Sequence, residues 1–582
     1  MKGSISDVSW HTFMYETDDK SIVEANWDKP YYFNDDYFLF IGGHVFYRIS
    51  EADKTGRYVP SPEEVLKILL LYDGNHFEVL KGNYHFLLFN RKNRKATIYS
   101  SPLSLYPAWY SIENGKLTVS NIMEGLLKMK NETFVDNQGL VEFSLFDHTI
   151  GTRTFYKDIF QLTGGHKVTI DENGRDEEQF YDISRRWFTN NPAKKCNSLH
   201  ELDSVLKRHI FEFTNSIRKF NISLTGGFDG RLNFSFINKA DYPRLQAFSY
   251  GMKESLQLQI PDAISRKLKF NYKGVVLGNE FEKQFAELGM DSIILTGGVT
   301  PFIRANYPYG YSEVNDFSRN CILGQCDFIR PLYTNPAGAI FNTFSHAIFY
   351  SNNPNRFYNY CRTLSKTGFL NEVLFEEEII KKIYQYITET YVLPYPELDN
   401  NERYYFFLVK ESMLKFWQTE CHLVDLFVND FISFSDLDYI ETLSKSEYFG
   451  LYKGIFASNQ FMRRNGQDLY ADLMHINNND LNGIITDRFY KPKWIRKGIP
   501  GYFMIALGKL RANQRKRISG NDTFSSDWSD LFYRKYNDDI DHQGLLFNIS
   551  NLKKNSPYVN DNAFRRDRHV SLKLWLQYMS LI

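Results

Sequence analysis

Cysteine is scarce in this chain, and none occurs before Cys196. The five are Cys196, Cys321, Cys326, Cys361 and Cys421, an odd and thin set for 582 residues. That excludes a disulfide-stapled scaffold and points to a reducing, cytoplasmic compartment. Cys321 and Cys326 have no second cysteine pair beside them, so buried thiols fit better than a zinc site. Net charge is lacking as well. Lys+Arg and Asp+Glu both number 69, so there is no bulk attraction to nucleic acid or to an anionic membrane. The basic run LRANQRKRI, Leu510 to Ile518, reads as a surface helix or loop, or as a local phosphate contact. Long apolar runs are also missing. MKGSISDVSW has no signal-peptide core, and no window of about 18 residues is apolar throughout, which leaves no membrane-inserted helix. Even the greasiest long stretch, LVDLFVNDFISF, carries two aspartates, Asp425 and Asp430.

Core-forming residues, by contrast, are plentiful. Hydrophobic content is 43%, too high for disorder, and the length exceeds one ordinary core. Two or more domains follow. In the first 190 residues, DDYFLFIGGHVFYRIS reads as two strands broken by a turn at Gly42-Gly43. SPEEVLKILLLYDG is a well-signalled helix: Ser61 is a natural N-cap, Pro62 suits the first turn, and Gly74 stops the run. GNYHFLLFNRKNRKATIYSS gives strands over Tyr84 to Phe89 and Ala96 to Tyr99, and Asn114-Gly115 marks a hairpin. This is a sheet-rich, layered α+β domain over 1–190, followed by a Pro-broken linker from Arg186 to His200.

Beyond 200 the pattern changes. The helix-spaced HELDSVLKRHIFEFTNSIRKF leads into NISLTGG, a short strand; YPRLQAFSYG and YKGVVLG are further strands, with helical segments between them. Alternating strands and helices predict an α/β domain over 200–582 with a mainly parallel sheet. From about 362 onward the spacing is mostly helical. Ligands of such sheets sit outside the C-terminal ends of the strands, where FNISLTGGFDGRLNFSF places residues 225–231. Gly226 and Gly227 allow a tight turn whose amides face an anion at the start of the next helix. Thr225 adds a hydroxyl, and Arg231 a positive charge for a leaving phosphate. Asp229 makes sense beside a phosphate if Mg²⁺ sits between them. The plain alternative is a strand-turn-helix corner with a capping Asp. The pattern is neither a Walker loop nor a dinucleotide fingerprint. A second acid, Asp327, follows Gly324 in NCILGQCDFIRP; it is a Mg²⁺ ligand or a helix N-cap. His44, His85 and His166 read as ordinary histidines, and HINNND, His475 to Asp480, as a polar loop.

TGGFDGR resembles the pyrophosphate loop of the asparagine synthase family, usually Ser-Gly-Gly-Leu-Asp-Ser. LGQCDFIRP resembles a worn form of its Ser-Gly-x-Gly-x-Asp-Glu loop, one residue short and with Phe328 in place of Glu. LKGNYHFLLFNRKNRKATIYSSPLSLYPAWYSIENGKLTVSN follows the order of the family's front domain, TFYKDIFQLTGGHKVTI the stretch before its linker, and FVNDFISFSDLDYIETLSKS its Pro-Phe-Leu-Asp region. The resemblance implies a glutamine-amidotransferase-like front domain of the Ntn-hydrolase, αββα kind. Behind it comes a synthetase domain of the adenine nucleotide α-hydrolase type with a helical C-terminal part. It implies ATP and Mg²⁺ as ligands. Thr225, Gly226, Gly227, Asp229, Gly230, Ser249, Gly251 and Gly324 would bind nucleotide, Asp229 and Asp327 the metal, and Arg231 would assist. Lys453, in YFGLYKGIFASNQ, is the candidate for neutralising the transition state, against the alternative of a solvated lysine. The family's glutaminase nucleophile is a cysteine after the initiator Met; position 2 here is Lys2. Gly230 stands where a Ser is usual.

What the resemblance implies is an AMP-forming carbon-nitrogen ligase that adenylates a carboxylate and uses ammonia or a substrate amine in place of glutamine. The substrate is a small molecule or peptide bearing a carboxylate, with an amine donor. A partner protein from the same biosynthetic cluster and a homodimer fit the same picture. Two other functions stay open: a lapsed homologue that binds nucleotide or protein as a scaffold, and ammonia-dependent asparagine synthesis.

Overall fold

The computed structural model describes residues 10–16, 21–26, 31–48, 57–113, 116–171, 174–188, 198–329, 342–351, 353–365, 376–453, 465–519, 526–536 and 563–579. The front part is built on two antiparallel sheets. One runs in the order Phe160–Gln161, Trp109–Glu113, Lys116–Ser120, Trp10–Glu16, Ser21–Asn26. The other runs Gly174–Gln179, His166–Asp171, Lys95–Ser100, Leu80–Asn90, Tyr37–Arg48, Tyr31–Phe33, with Arg57–Tyr58 also on Tyr37–Arg48.

Alternation along the strands makes the layers. Phe40, Leu87, Phe89 and Ile98 point into an apolar layer shared with Tyr110, Leu117 and Val119 of the first sheet. Their neighbours Leu39, Ile41, Phe86 and Leu88 face the opposite way, onto Val65, Leu66 and Leu69 of the helix Pro62–Tyr72. Period-two side chains can serve both faces only if both faces are covered. That helix begins where its sequence signals place it: Ser61 and Glu64 form a reciprocal capping box. On the far side the helix Met123–Lys128 rests on the first sheet.

One expectation fails here. Gly42 and Gly43 do not break the chain; Tyr37–Arg48 is a single strand running through them. A Cβ on Gly42 would meet the His85 ring at 2.3 Å, and one on Gly43 the Asn83 carbonyl at 2.2 Å. The glycines admit close neighbours within the sheet, a use of glycine that a turn reading overlooks. The expected hairpin at Asn114-Gly115 has its two flanking strands paired, and the turn itself lies outside the described residues. Within the proposed linker, residues 189–197 also lie outside them.

The rear part holds a five-stranded sheet in the order Asn271–Val276, Leu245–Gly251, Phe220–Ser223, Asn320–Leu323, Asn429–Ile432, and every pairing is parallel. The chain winds outward from Phe220–Ser223 on one side. It then returns to the other side of that strand for the last two. The order therefore reverses between Phe220–Ser223 and Asn320–Leu323, which opens a crevice at their carboxyl ends. Helices make up most of the remainder, including Glu377–Tyr391, Asn400–Phe407 and Leu414–Asp425, with a π-helical turn over Leu408–Met413.

The two parts share one continuous apolar core. Phe46 of the front meets Phe213 and Phe431 of the rear edge-on. His148 Nε2 bonds Ser412 Oγ at 2.9 Å, and Lys415 Nζ donates to the carbonyls of Thr149 and Gly151 at 2.6 and 2.9 Å. The helix Ala563–Tyr578 is wedged between them. Its Trp575 donates to Tyr156 Oη of the front at 2.6 Å, and its Ser571 accepts from Phe302 N of the rear at 2.9 Å.

Candidate functional site

The crevice between Phe220–Ser223 and Asn320–Leu323 brings together most of the residues singled out from the sequence. Thr225, Gly226 and Gly227 link the first strand to the helix Asp229–Ser235. Gly324 follows the second strand and backs onto Asp229: a Cβ there would lie 3.0 Å from Asp229 Cβ. Thus the two acidic loops touch through a glycine, although about a hundred residues of chain separate them.

Gly230 has a local reason. A Cβ at that position would meet the Ser223 carbonyl at 2.3 Å, so the helix starts tight against the strand it follows. No side chain fits there without moving backbone. The helix N-cap is Phe228, with no side-chain capping bond, so Asp229 is not the capping residue of the plain reading.

Asp327 is buried. Cys326 before it takes a left-handed backbone with φ 64°, and the turn directs the carboxylate inward. Asp327 Oδ1 accepts from Ile329 N at 3.0 Å and Oδ2 from the Tyr470 hydroxyl. This is a turn-capping geometry, and among the described residues no helix begins there. Asp229 and Asp327 act on the same two phenols. Burial raises Tyr439 and Tyr470 well above the usual range, and the charges of Asp327 and Asp229 raise them further. The two carboxylates thus bear on common neighbours at the strand-order reversal.

The glycine loop is held from outside. Gly226 N donates to Gln257 Oε1 at 3.1 Å and Gly227 N to Thr225 Oγ1 at 3.2 Å. Arg231 does not reach toward a phosphate position. Its fully buried guanidinium donates to the carbonyls of Ile484 at 3.0 Å, Gly226 at 3.2 Å and Ile485 at 2.6 Å. Burial lowers its pKa to about 10, partly offset by Asp487, which still leaves it cationic at neutral pH. A planar fork with several donors is suited to joining three carbonyls, and that is its work here. Ser249 is likewise committed: its hydroxyl donates to the Gln257 carbonyl at 2.6 Å and lies 2.8 Å from Tyr272 Oη. Gly251 ends its strand and accepts from Leu277 N at 2.8 Å. Lys453 closes a short helix, Gly450–Lys453, and its side chain lies outside the described residues.

Three residues at this crevice, Gln257, Tyr470 and Asp487, were not singled out from the sequence. Asp487 N donates to the Gly226 carbonyl at 3.0 Å, and its carboxylate accepts from Gln257 at 3.3 Å. Tyr470 holds Asp327. They lie far along the chain in segments with no strand-end pattern. Only Gln257, on the helix Leu256–Leu268 after the neighbouring strand, occupies a position where a ligand contact is expected in this topology.

Residues 53–181 match the family model of a glutamine amidotransferase domain. The front domain is therefore glutamine-amidotransferase-like, and Cys196, the first cysteine, falls beyond the match. A comparison with curated proteins gives no match. Similar solved structures include an allosteric regulatory enzyme of purine biosynthesis, at 10% identity over 38% of this chain and 56% of that one, with a TM-score of 0.20. Another is glutamine phosphoribosylpyrophosphate amidotransferase from B. subtilis, complexed with ADP and GMP, at 8% identity over 56% of this chain and 78% of that one, also with a TM-score of 0.20. The chain thus spans little more than half the length of the first of these. No helix among the described residues is long and apolar enough to cross a membrane.

Proposed function

We propose that the protein is an ATP- and Mg²⁺-dependent, AMP-forming amide ligase of the asparagine synthase kind. In this reading a carboxylate displaces pyrophosphate from ATP, and an amine or ammonia then displaces AMP. The observation that carries it is the meeting of the Thr225–Asp229 and Gly324–Asp327 loops at the strand-order reversal, with both acids bearing on Tyr439 and Tyr470. Asp229 and Asp327 would hold Mg²⁺, which when bound screens the phosphates against the incoming nucleophile. Thr225, Gly226 and Gly227 would border the phosphates, because two residues without Cβ leave the backbone open to close approach. Arg231 and Gln257 act by positioning: they hold the loop from behind, through Gly226. No thiol precedes Cys196 in the front domain, and in this reading the nitrogen donor is ammonia or a substrate amine. The domain limits 1–190 and 200–582 belong to this proposal.

The second reading, a lapsed scaffold, draws on the burial of Asp327 and its bond to Tyr470. The test is pyrophosphate release from ATP and Mg²⁺ across a panel of carboxylic acids, with wild type and Asp229→Ala. Release that requires both Mg²⁺ and Asp229 supports the ligase. No release with any acid, together with no ATP binding by calorimetry, overturns it in favour of the scaffold.

A further inference from the structure

The chain as a whole carries no net charge, but one stretch of it does. Residues 488–521 hold ten Lys and Arg and no Asp or Glu. Most of this stretch folds as a helical hairpin, a 3₁₀ segment Pro492–Lys497 followed by the helix Gly498–Ser519. Gly498 makes the corner at φ 59°, a backbone that suits glycine. The base of the hairpin is fixed to the rear part: Asp487 N holds the Gly226 carbonyl, and Tyr490 Oη donates to Gln467 Oε1 at 2.6 Å.

The helix is inside out. A surface helix ordinarily buries its large apolar side chains and turns its polar ones to water. Here the covered side is Gly501, Ile505 and Gly508. A Cβ on Gly501 would meet the Trp494 carbonyl at 1.8 Å, and one on Gly508 the Phe489 carbonyl at 2.4 Å. The helix therefore lies tight on the segment before it, through its glycines. At about 100° per residue the opposite side carries Ile499, Phe503, Leu507 and Leu510, within an arc of about 80°. They are 83%, 65%, 37% and 61% exposed. Single exposed apolar residues are ordinary, whereas a contiguous row of them marks a contact.

Cations edge this row. Lys509 and Arg511 flank Leu510, one on each side, and Arg515, Lys516 and Arg517 follow in the sequence. Lys493 and Lys497 are exposed on the other arm. Two cations of the stretch serve the fold: Arg496 bonds Asp472 at 2.6 Å, and Arg488 lies over the Phe228 ring. An apolar row bordered by Lys and Arg matches the surface of an anionic bilayer, where acyl chains receive the row and headgroups the cations. A nucleic acid would engage the cations and leave Ile499, Phe503 and Leu510 in water. A stable protein interface takes about 20–30 residues a side, more than one helix flank presents.

We propose that the helix Gly498–Ser519 docks the protein on anionic lipid bilayers. It lies in the plane of the surface, with Ile499, Phe503, Leu507 and Leu510 toward the acyl chains, and does not span the membrane. The docking is independent of the ligase reading.

The test floats the full chain with vesicles of phosphatidylcholine alone, and of phosphatidylcholine with about 30% phosphatidylglycerol. Binding should need the anionic lipid and should fall at least about tenfold between about 0.1 and 0.5 M salt. Phe503→Asp and Leu510→Asp should each weaken it at least about tenfold and leave the thermal midpoint in place, because both side chains face outward. Leu71→Asp, at an equally exposed apolar position on the front helix Pro62–Tyr72, should leave binding unchanged. In the wild type itself, amide hydrogen exchange on anionic vesicles should slow over residues 498–519, a readout that stands if a variant does not fold. No flotation with anionic vesicles would overturn the proposal and assign the row to a protein contact. Equal flotation with neutral vesicles, undiminished binding by folded Phe503→Asp and Leu510→Asp, or exchange slowed only in another segment would overturn it too.

Discussion

The front and rear parts keep their polar groups in opposite places. Between the two front sheets, Phe40, Leu87, Phe89, Ile98, Leu117 and Val119 make a layer of apolar side chains. The sequence match to an amidotransferase domain runs through this layer, yet the region contains no thiol. The rear sheet ends in glycines and carboxylates at one crevice, Gly226, Gly227, Asp229, Gly324 and Asp327. Architecture and chemistry are therefore separable. A buried alternating pattern survives as long as its packing is kept, whereas a reactive group at an edge can vanish without cost to the core.

Substitution at Asp229 should break the comparison most sharply. Asp229→Ala should lower Mg²⁺-dependent pyrophosphate release by about 100-fold or more, as expected for removing a group that positions charge at a reacting phosphate. Supplying glutamine to the wild type should release no glutamate, measured by coupled assay, while ammonia or an amine sustains turnover.

Acid should act next, and on both parts. Burial lowers His76 of the front to about 3, and His148 and His422, at and behind the seam, to about 4. Each is neutral when folded and takes up a proton more readily when unfolded. Their contribution is complete above pH 6.5 and is lost as pH falls from there toward 4. For His422 alone the loss is on the order of 3 kcal/mol. Thermal midpoints measured across that range should fall steadily, and His422→Gln should flatten the slope.

Two glycine variants sharpen the contrast. Gly42→Ala drives a methyl into His85, and Gly230→Ala drives one into the Ser223 carbonyl, each at 2.3 Å. Both should cost about 1–3 kcal/mol in urea unfolding. Only Gly230→Ala should also lower pyrophosphate release, because it displaces Asp229. The smallest effect should come from Tyr470→Phe. Losing the hydroxyl that Asp327 accepts should cost about 1–2 kcal/mol and shift the Mg²⁺ dependence a few-fold.

Local signals carried much of the fold. The capping box at Ser61 and Glu64, the alternation in Leu80–Asn90 and the strand-helix succession after 200 are properties of short windows, and the sequence shows them directly. Gly42-Gly43 misled because a glycine looks the same whether it turns a chain or admits a neighbour. Asp229 and Asp327 were legible as acids after strand ends. The roles of Arg231, Gln257, Tyr470 and Asp487 were not, since they depend on contacts across distant segments that no periodicity records. The outward apolar row of the helix Gly498–Ser519 was hidden for the same reason: which side is covered depends on the segment packed against it.

The helix Ala563–Tyr578 has a consequence for biosynthesis. Its Trp575 fills the space over Gly298, where a Cβ would be only 2.7 Å away, and bonds Tyr156 of the front domain. Val570, Leu572, Leu574 and Leu576 are also buried. A ribosome delivers this segment after every strand among the described residues has emerged. The earlier strands must therefore wait with exposed apolar surface for this helix, and a chaperone that shields that surface during translation should raise the yield of native protein.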